Sequence, residues 1–329
     1  MRRPAETGYQ DQGARPGSIG TGVGLALGAA LISGLAIYLN AYAVKQVPDA
    51  AVYTTLKNGV AAAVLFGALA LGGRVGDVRA IARRDWPAIL AVGIVGGSVP
   101  FILFFSGLAM ASAPSAAFIQ KTLFVWVALL AVPFLGERLG LAPILALATL
   151  LVGQALVLPP SGIAWGTGET LILAATLLWA VETVLVKRLL ASVPSGPMAA
   201  LRMGVGLVVL GGYLVVTGRL PVVADLGGLQ WAWVALTGIV LAAYVATWFG
   251  ALRRAPASIV TSVLVVGAVV TGLLTSATKG SAPDPTVVVG YVLIVGAVGT
   301  LVAWSFAVAR RSPRPEMLVG EPALADPGR

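Results

Sequence analysis

The chain has 329 residues, of which 58% are hydrophobic and only 11% charged, and its mean hydropathy is +0.94. So little charge could not cover the surface of a soluble protein of this length. With no cysteine and no histidine, the chain has no disulfide framework, thiol chemistry, Ser-His-Asp triad, histidine metal site or histidine pH switch.

Residues 1–19, MRRPAETGYQDQGARPGSI, are polar and rich in Pro and Gly, and read as a disordered tail. No small-residue cleavage site precedes the end of the first apolar run, so no signal peptide is expected. Ten apolar stretches follow, at 20–43, 51–71, 86–109, 114–135, 141–158, 168–187, 198–217, 230–251, 256–277 and 286–308. A helix of about 20 apolar residues spans the hydrocarbon layer of a bilayer. The pattern predicts an all-α integral membrane protein of ten transmembrane helices. The Pro-rich residues 309–329 read as a second disordered tail.

The basic residues report orientation. Sixteen Lys and Arg fall on the side of the termini, and only Lys45, Arg219 and Lys279 on the other. The positive-inside rule therefore places both termini in the cytoplasm, in the cell inner (plasma) membrane. The net charge of +9 is explained by this topology, and no nucleic-acid partner is expected.

Spans 1–5 (within 20–158) and 6–10 (within 159–308) resemble each other. Pro48 precedes TTLKNGVAAAVLFG and Pro194 precedes MAALRMGVGLVVLGGY, with Lys57 opposite Arg202. FFSGLAMASAPSAAFIQKTLF matches TWFGALRRAPASIVTSVLV, with Pro114 opposite Pro256. Five spans is an odd number, so the second copy enters the membrane upside down. Inverted repeats point to a secondary transporter whose site lies near the midplane.

The stretch SAAFIQKTLFVWVALLAVPFLGERL, ending in Phe134-Leu135-Gly136-Glu137-Arg138, resembles the end of an EamA repeat of the drug/metabolite transporter (DMT) superfamily. Leu178-Trp179-Ala180 and the basic residue early in spans 2 and 7 are similar to that family too. The resemblance covers residues 20–308. It implies two inverted five-helix repeats, both termini inside, and export or exchange of small metabolites. The chain departs from the pattern where the second copy ends in Ala277-Thr278-Lys279-Gly280 rather than Gly-Glu, and where Ser33-Gly34 replaces a common Trp-Gly.

An ionised residue in the bilayer core costs from about 2.5 to over 10 kcal/mol, so it needs a partner, water or an exit to the interface. Lys121, beside Gln120 in span 4, has no acidic neighbour in that span and is expected to face a cavity and attract an anionic group. The alternative is snorkelling to the outer interface. Lys57, beside Asn58 in span 2, and Arg202 in span 7 form a matched pair of gating or mouth charges, or snorkel near helix ends. Glu182 is the one acid deep in a span. It reads as a proton-coupling site, as a counter-charge to Lys121 or Arg202, or as a partner of Lys187 or Arg188.

Asn40, Thr54, Asn58, Gln120, Gln154, Thr183, Tyr244 and Thr261 are candidate polar lining, or interhelical contacts. Trp126, Trp179 and Trp248 are candidates for an aromatic wall. Trp86, Trp165 and Trp231 read as interfacial anchors. Glu137 reads as a clamp on the terminal-side loop, because the helix end it follows disfavours a carboxylate. Gly24/Gly28 and Gly93/Gly97 are spaced for close helix approach. Gly96-Gly97-Ser98 before Pro100 would soften span 3 into a moving element or a fixed kink.

The expected function is a secondary active transporter of small metabolites, an exporter or exchanger working by alternating access. The excess of intramembrane cations favours anionic or zwitterionic substrates such as amino acids or organic acids. An amphipathic drug exporter, a channel or a non-transporting membrane scaffold are the alternatives. An enzyme is not expected, nor is a cofactor, and no ATP-binding loop is present. The expected partners are the small-molecule substrate and the lipid bilayer, with proton coupling and a homodimer left open.

Overall fold

The computed structural model describes residues 16–108, 110–111, 113–159 and 165–311. The two expected tails lie outside these residues, except that residues 16–19 belong to the first helix and residues 309–311 to the last. Pro16 opens it, as a proline can where the N–H would have no helical partner. Among the described residues the chain is all-helical, with no strand.

Seven spans are single helices. They are span 1 (Pro16–Ala43), span 2 (Ala50–Leu71), span 5 (Leu141–Val157), span 6 (Thr167–Leu189), span 7 (Ser195–Val216), span 8 (Gly228–Arg254) and span 10 (Pro285–Arg311). Three are broken in two: span 3 (Trp86–Val95 and Val99–Leu108), span 4 (Ala113–Lys121 and Leu123–Leu135) and span 9 (Ala257–Leu264 and Val266–Lys279). Among the described residues, nine spans are long and apolar enough to cross a membrane. Span 5, at 17 residues, is about 25 Å long and crosses only with some local thinning.

The two copies interlock rather than lie side by side. Span 1 packs on spans 8 and 9, and its counterpart, span 6, packs on spans 3 and 4. Span 2 packs on span 8, as span 7 does on span 3. Spans 2 and 7 meet each other, and so do 4 and 9, and 5 and 10. Each contact turns into another under exchange of the copies, as inverted repeats require. Both chain ends lie at one face: Gly20 sits against the Phe306 ring, and Gly22 sits against Arg254 and Ala255. We refer to this as the terminal face.

The breaks recur as well. Spans 4 and 9 are interrupted at Thr122 and Val265, and they end on Gly136 and Gly280, both left-handed at φ +67° and +63°. Only glycine adopts that conformation without strain, and here it stops each helix. In span 3 the interruption falls on Gly96-Gly97-Ser98, the segment whose composition predicted it.

Gly93 and Gly97 do mediate close packing, against Val205 and Gly206 of span 7. Gly24 and Gly28 do not: a methyl group on either would meet nothing within 4 Å. On span 1 the close approach is instead at Gly34, whose carbonyl accepts from Thr271 Oγ1 at 2.9 Å. The Gly97–Gly206 crossing is a backbone-to-backbone contact. A methyl at Gly206 would lie 2.6 Å from the Gly97 carbonyl oxygen. Gly206→Ala is therefore expected to destabilise the protein by about 1–3 kcal/mol, read as a lowered melting temperature in detergent, whereas Gly28→Ala should be neutral.

Candidate functional site

A cavity of about 270 Å³ lies between the copies. It draws on spans 1 (Ser33, Ile37, Asn40), 2 (Lys57), 3 (Phe101), 4 (Gln120, Lys121, Phe124), 6 (Trp179, Glu182, Thr183), 7 (Arg202), 8 (Thr237, Tyr244, Trp248) and 9 (Thr261, Leu264). Spans 5 and 10 brace the bundle outside it. Most of the sequence-derived candidates therefore converge: Lys121, Gln120, Asn40, Lys57, Trp179, Tyr244, Glu182 and Arg202 share one wall system.

Asn58 does not reach the cavity. One residue is 100° of helix turn, so the turn that carries Lys57 inward points Asn58 elsewhere, together with Thr54 one turn earlier. Both are buried, and neither Asn58 nor Thr54 has a side-chain hydrogen-bond partner among the described residues. Gln154 on span 5 is likewise buried away from the cavity. Trp126 is also outside the lining, its indole donating to Thr122 Oγ1 at 3.0 Å across the span 4 break.

At the terminal end of the cavity Arg202 neither snorkels nor stands alone. Its guanidinium donates to both carboxylate oxygens of Glu182, at 2.8 and 3.3 Å, and to the Gly96 carbonyl at 2.9 Å. Both side chains are about nine-tenths buried. The planar fork of arginine matches a carboxylate in this way, which an ammonium cannot do. The Gly96 carbonyl is available because the helix breaks there, and it also accepts from the Trp179 indole at 3.1 Å. Close contact of the Glu182 carboxyl with Gly96 leaves no room for a side chain at that position. Two of the other cations considered for Glu182 are committed elsewhere. Lys187 donates to the Leu252 and Ala255 carbonyls at 2.7 and 2.8 Å, and Arg188 to the Phe134 carbonyl.

At the opposite end, Lys57 Nζ donates to Asn40 Oδ1 at 3.0 Å. Tyr53 donates to the same oxygen at 2.6 Å, and its hydroxyl lies 2.9 Å from Thr237 Oγ1. The Asn40 amide in turn donates to the Ala36 carbonyl. Sequence reasoning missed Tyr53, although its place four residues before Lys57 sets both on one face. Lys121 stands between these two ends, at the last residue before the span 4 break. Among the described residues it has neither an ion pair nor a hydrogen bond to protein. The walls around it are aromatic. Tyr244 stacks on Trp248 with centroids 6.1 Å apart, and Trp179 meets Phe101 edge-on at 5.3 Å.

Helix-end contacts join the spans at the terminal end. The Glu137 carboxylate accepts from the backbone N–H groups of Ala257 and Ser258, at 2.5 and 3.1 Å, and from the Ser258 hydroxyl. This is the partner that the sequence called for. The carboxylate caps the positive N-terminus of span 9 while Lys187 and Arg188 sit on the negative C-termini of spans 8 and 4. At the end of span 9 the residue after the left-handed glycine is Ser281, so the second copy offers no matching carboxylate.

The EamA-like transporter family profile matches twice, over residues 20–158 and 166–303. No curated protein matches the chain. Twenty-nine solved chains do. One crystal structure superposes with a TM-score of 0.69 at 19% identity, covering 86% of this chain and 98% of that one, a likeness of fold alone. With two profile matches spanning nearly all of the membrane region, the chain belongs to the EamA-like transporter family, and is a membrane transporter of the drug/metabolite superfamily.

Proposed function

We propose that the protein is a secondary active transporter of small anionic or zwitterionic metabolites, such as amino acids or organic acids. It exports or exchanges them by alternating access across the inner (plasma) membrane, with both termini cytoplasmic. The observation that carries this reading is the Lys121 ammonium, which faces the cavity with no counter-charge or hydrogen bond from the described residues. A cation kept there at the cost of desolvation is stabilised when a substrate carboxylate or phosphate arrives. The cavity volume lies at the small end of ligand sites, which suits a metabolite rather than a bulky drug. In this reading the structure represents the state closed toward the cytoplasm. Glu182 acts as the counter-charge of Arg202.

The test is counterflow in proteoliposomes with amino acids, organic acids, nucleosides and cationic dyes. Accumulation of one anionic or zwitterionic class is expected, reduced about tenfold or more by Lys121→Ala, the size of a lost charge-assisted hydrogen bond. Uptake of cationic dyes that ignores the substitution would instead mean an apolar, drug-type cavity.

A further inference from the structure

The two copies carry the same polar tie at opposite ends of the cavity, but with different charge. Counting back five residues from Lys45 and from Lys187, the first basic residues at or just past the ends of the opening spans, reaches Asn40 and Glu182. Counting eight residues on from the N-caps Asp49 and Pro194 reaches Lys57 and Arg202. In both copies the opening span thus offers an oxygen to the cation of the next span, at 3.0 Å for Lys57 to Asn40 and 2.8 Å for Arg202 to Glu182. Each tie also includes a span of the other copy: Thr237 of span 8 beside Tyr53, and the Gly96 carbonyl of span 3 beside Arg202.

The chemistry of the acceptor is what differs. Glu182 neutralises Arg202. Asn40 supplies an oxygen without a charge, so the ammonium of Lys57 keeps its full field. Of the carboxylates on that side, Asp49 is paired with Arg219 at 2.9 Å, Glu169 accepts from the Gly166 N–H at 3.1 Å, and neither Asp225 nor Asp284 lines the cavity. Lys121 adds to the imbalance, since the residue at its place before the span 9 break is Leu264, which lines the same cavity.

We propose that Asn40 is the residue that sets the charge selectivity of the cavity mouth: a neutral amide where the other copy has a carboxylate leaves Lys57 as a standing anion attractor. This rests on reading the cavity as the substrate site. Asparagine holds Lys57 and Tyr53 in place as a carboxylate would, and it withholds only the negative charge. Anions then gather at the mouth and pass on to Lys121, while cations are repelled at the entrance.

The chain has no cysteine, so a single one can be introduced without background. Ile37 lines the cavity one turn from Asn40. In Ile37→Cys protein the rates of modification by sulfonatoethyl and trimethylammonioethyl methanethiosulfonate are compared, and their ratio reports the local potential. Adding Asn40→Asp is expected to lower the anionic-to-cationic ratio by about tenfold, the effect of one unit charge a few ångströms away in a wet cavity. Lys57→Gln is expected to lower it in the same direction while leaving Asn40 intact, and it decides the matter if Asn40→Asp does not fold. An unchanged ratio in a folded variant overturns the proposal. Counterflow on the same vesicles is read separately, so a shifted ratio without accumulation counts against the transport reading alone.

Discussion

Arg202→Met is expected to destabilise the protein by about 3–5 kcal/mol, because it strands a buried carboxylate. Glu182 is 6% exposed and pressed against Gly96, so neither bulk water nor a side-chain rearrangement relieves it. Two alternative cations, Lys187 and Arg188, are tied to the ends of other helices, and Lys121 in the same cavity makes no ion pair with Glu182. Arg202 also satisfies the Gly96 carbonyl that the span 3 break leaves without a helical partner, and methionine would forfeit that bond. Glu182→Met should be damaging for the reciprocal reason. The double substitution should recover most of the loss, since two apolar side chains of similar volume remove both charges together. Thermal unfolding of the four purified proteins in detergent gives the answer. A single variant that melts with the wild type would mean that the pair is not closed in solution.

The second large effect is expected at Glu137. Its carboxylate satisfies three donors at the start of span 9 and opposes the helix dipole there. Losing such a cap costs about 2 kcal/mol. The contact joins spans 4 and 9 across the terminal end of the cavity, so Glu137→Ala should release that end rather than unfold the bundle. A change of this size corresponds to about a 30-fold shift between the closed and open populations. Thr261 lies just inside the clamp and is 2% exposed. In Thr261→Cys protein, a membrane-impermeant thiol reagent applied at the terminal face should react faster by about that factor once Glu137 is removed. Glu137→Gln, which keeps one oxygen, should fall between. Equal rates in all three would show that the clamp does not govern access.

The fold was largely readable from the chain because lipid imposes so few solutions. Apolar length set the spans, and the Lys57/Arg202 and Pro114/Pro256 correspondences exposed the repeat. Lys121 and Trp179 could be placed at a cavity because each is expensive or unusual in mid-span. Other features were hidden for definite reasons. Glu182 had four plausible cations, and only the packing of span 7 on span 3 selects Arg202. Asn58 and Lys57 are adjacent in sequence but a third of a turn apart in space, and periodicity across an apolar helix does not say which of them faces inward. The breaks at Thr122 and Val265 carry no proline or glycine, so no local signal marks them. The partner of Glu137 lies 120 residues away.

The Glu137 clamp also constrains how such a sequence can drift. Two of its three donors are main-chain N–H groups, which any residue except proline supplies at positions 257 and 258. The main-chain bonds would survive small substitutions there, but both positions are buried and Ser258 also supplies the third donor through its hydroxyl. At position 137 a carboxylate of that reach is needed, because neither shortening nor neutralising it keeps all three bonds. Descendants of this chain could thus vary position 257 among small residues with its bond kept, and a lineage that loosened the contact between spans 4 and 9 would do so through residue 137 or the Ser258 hydroxyl.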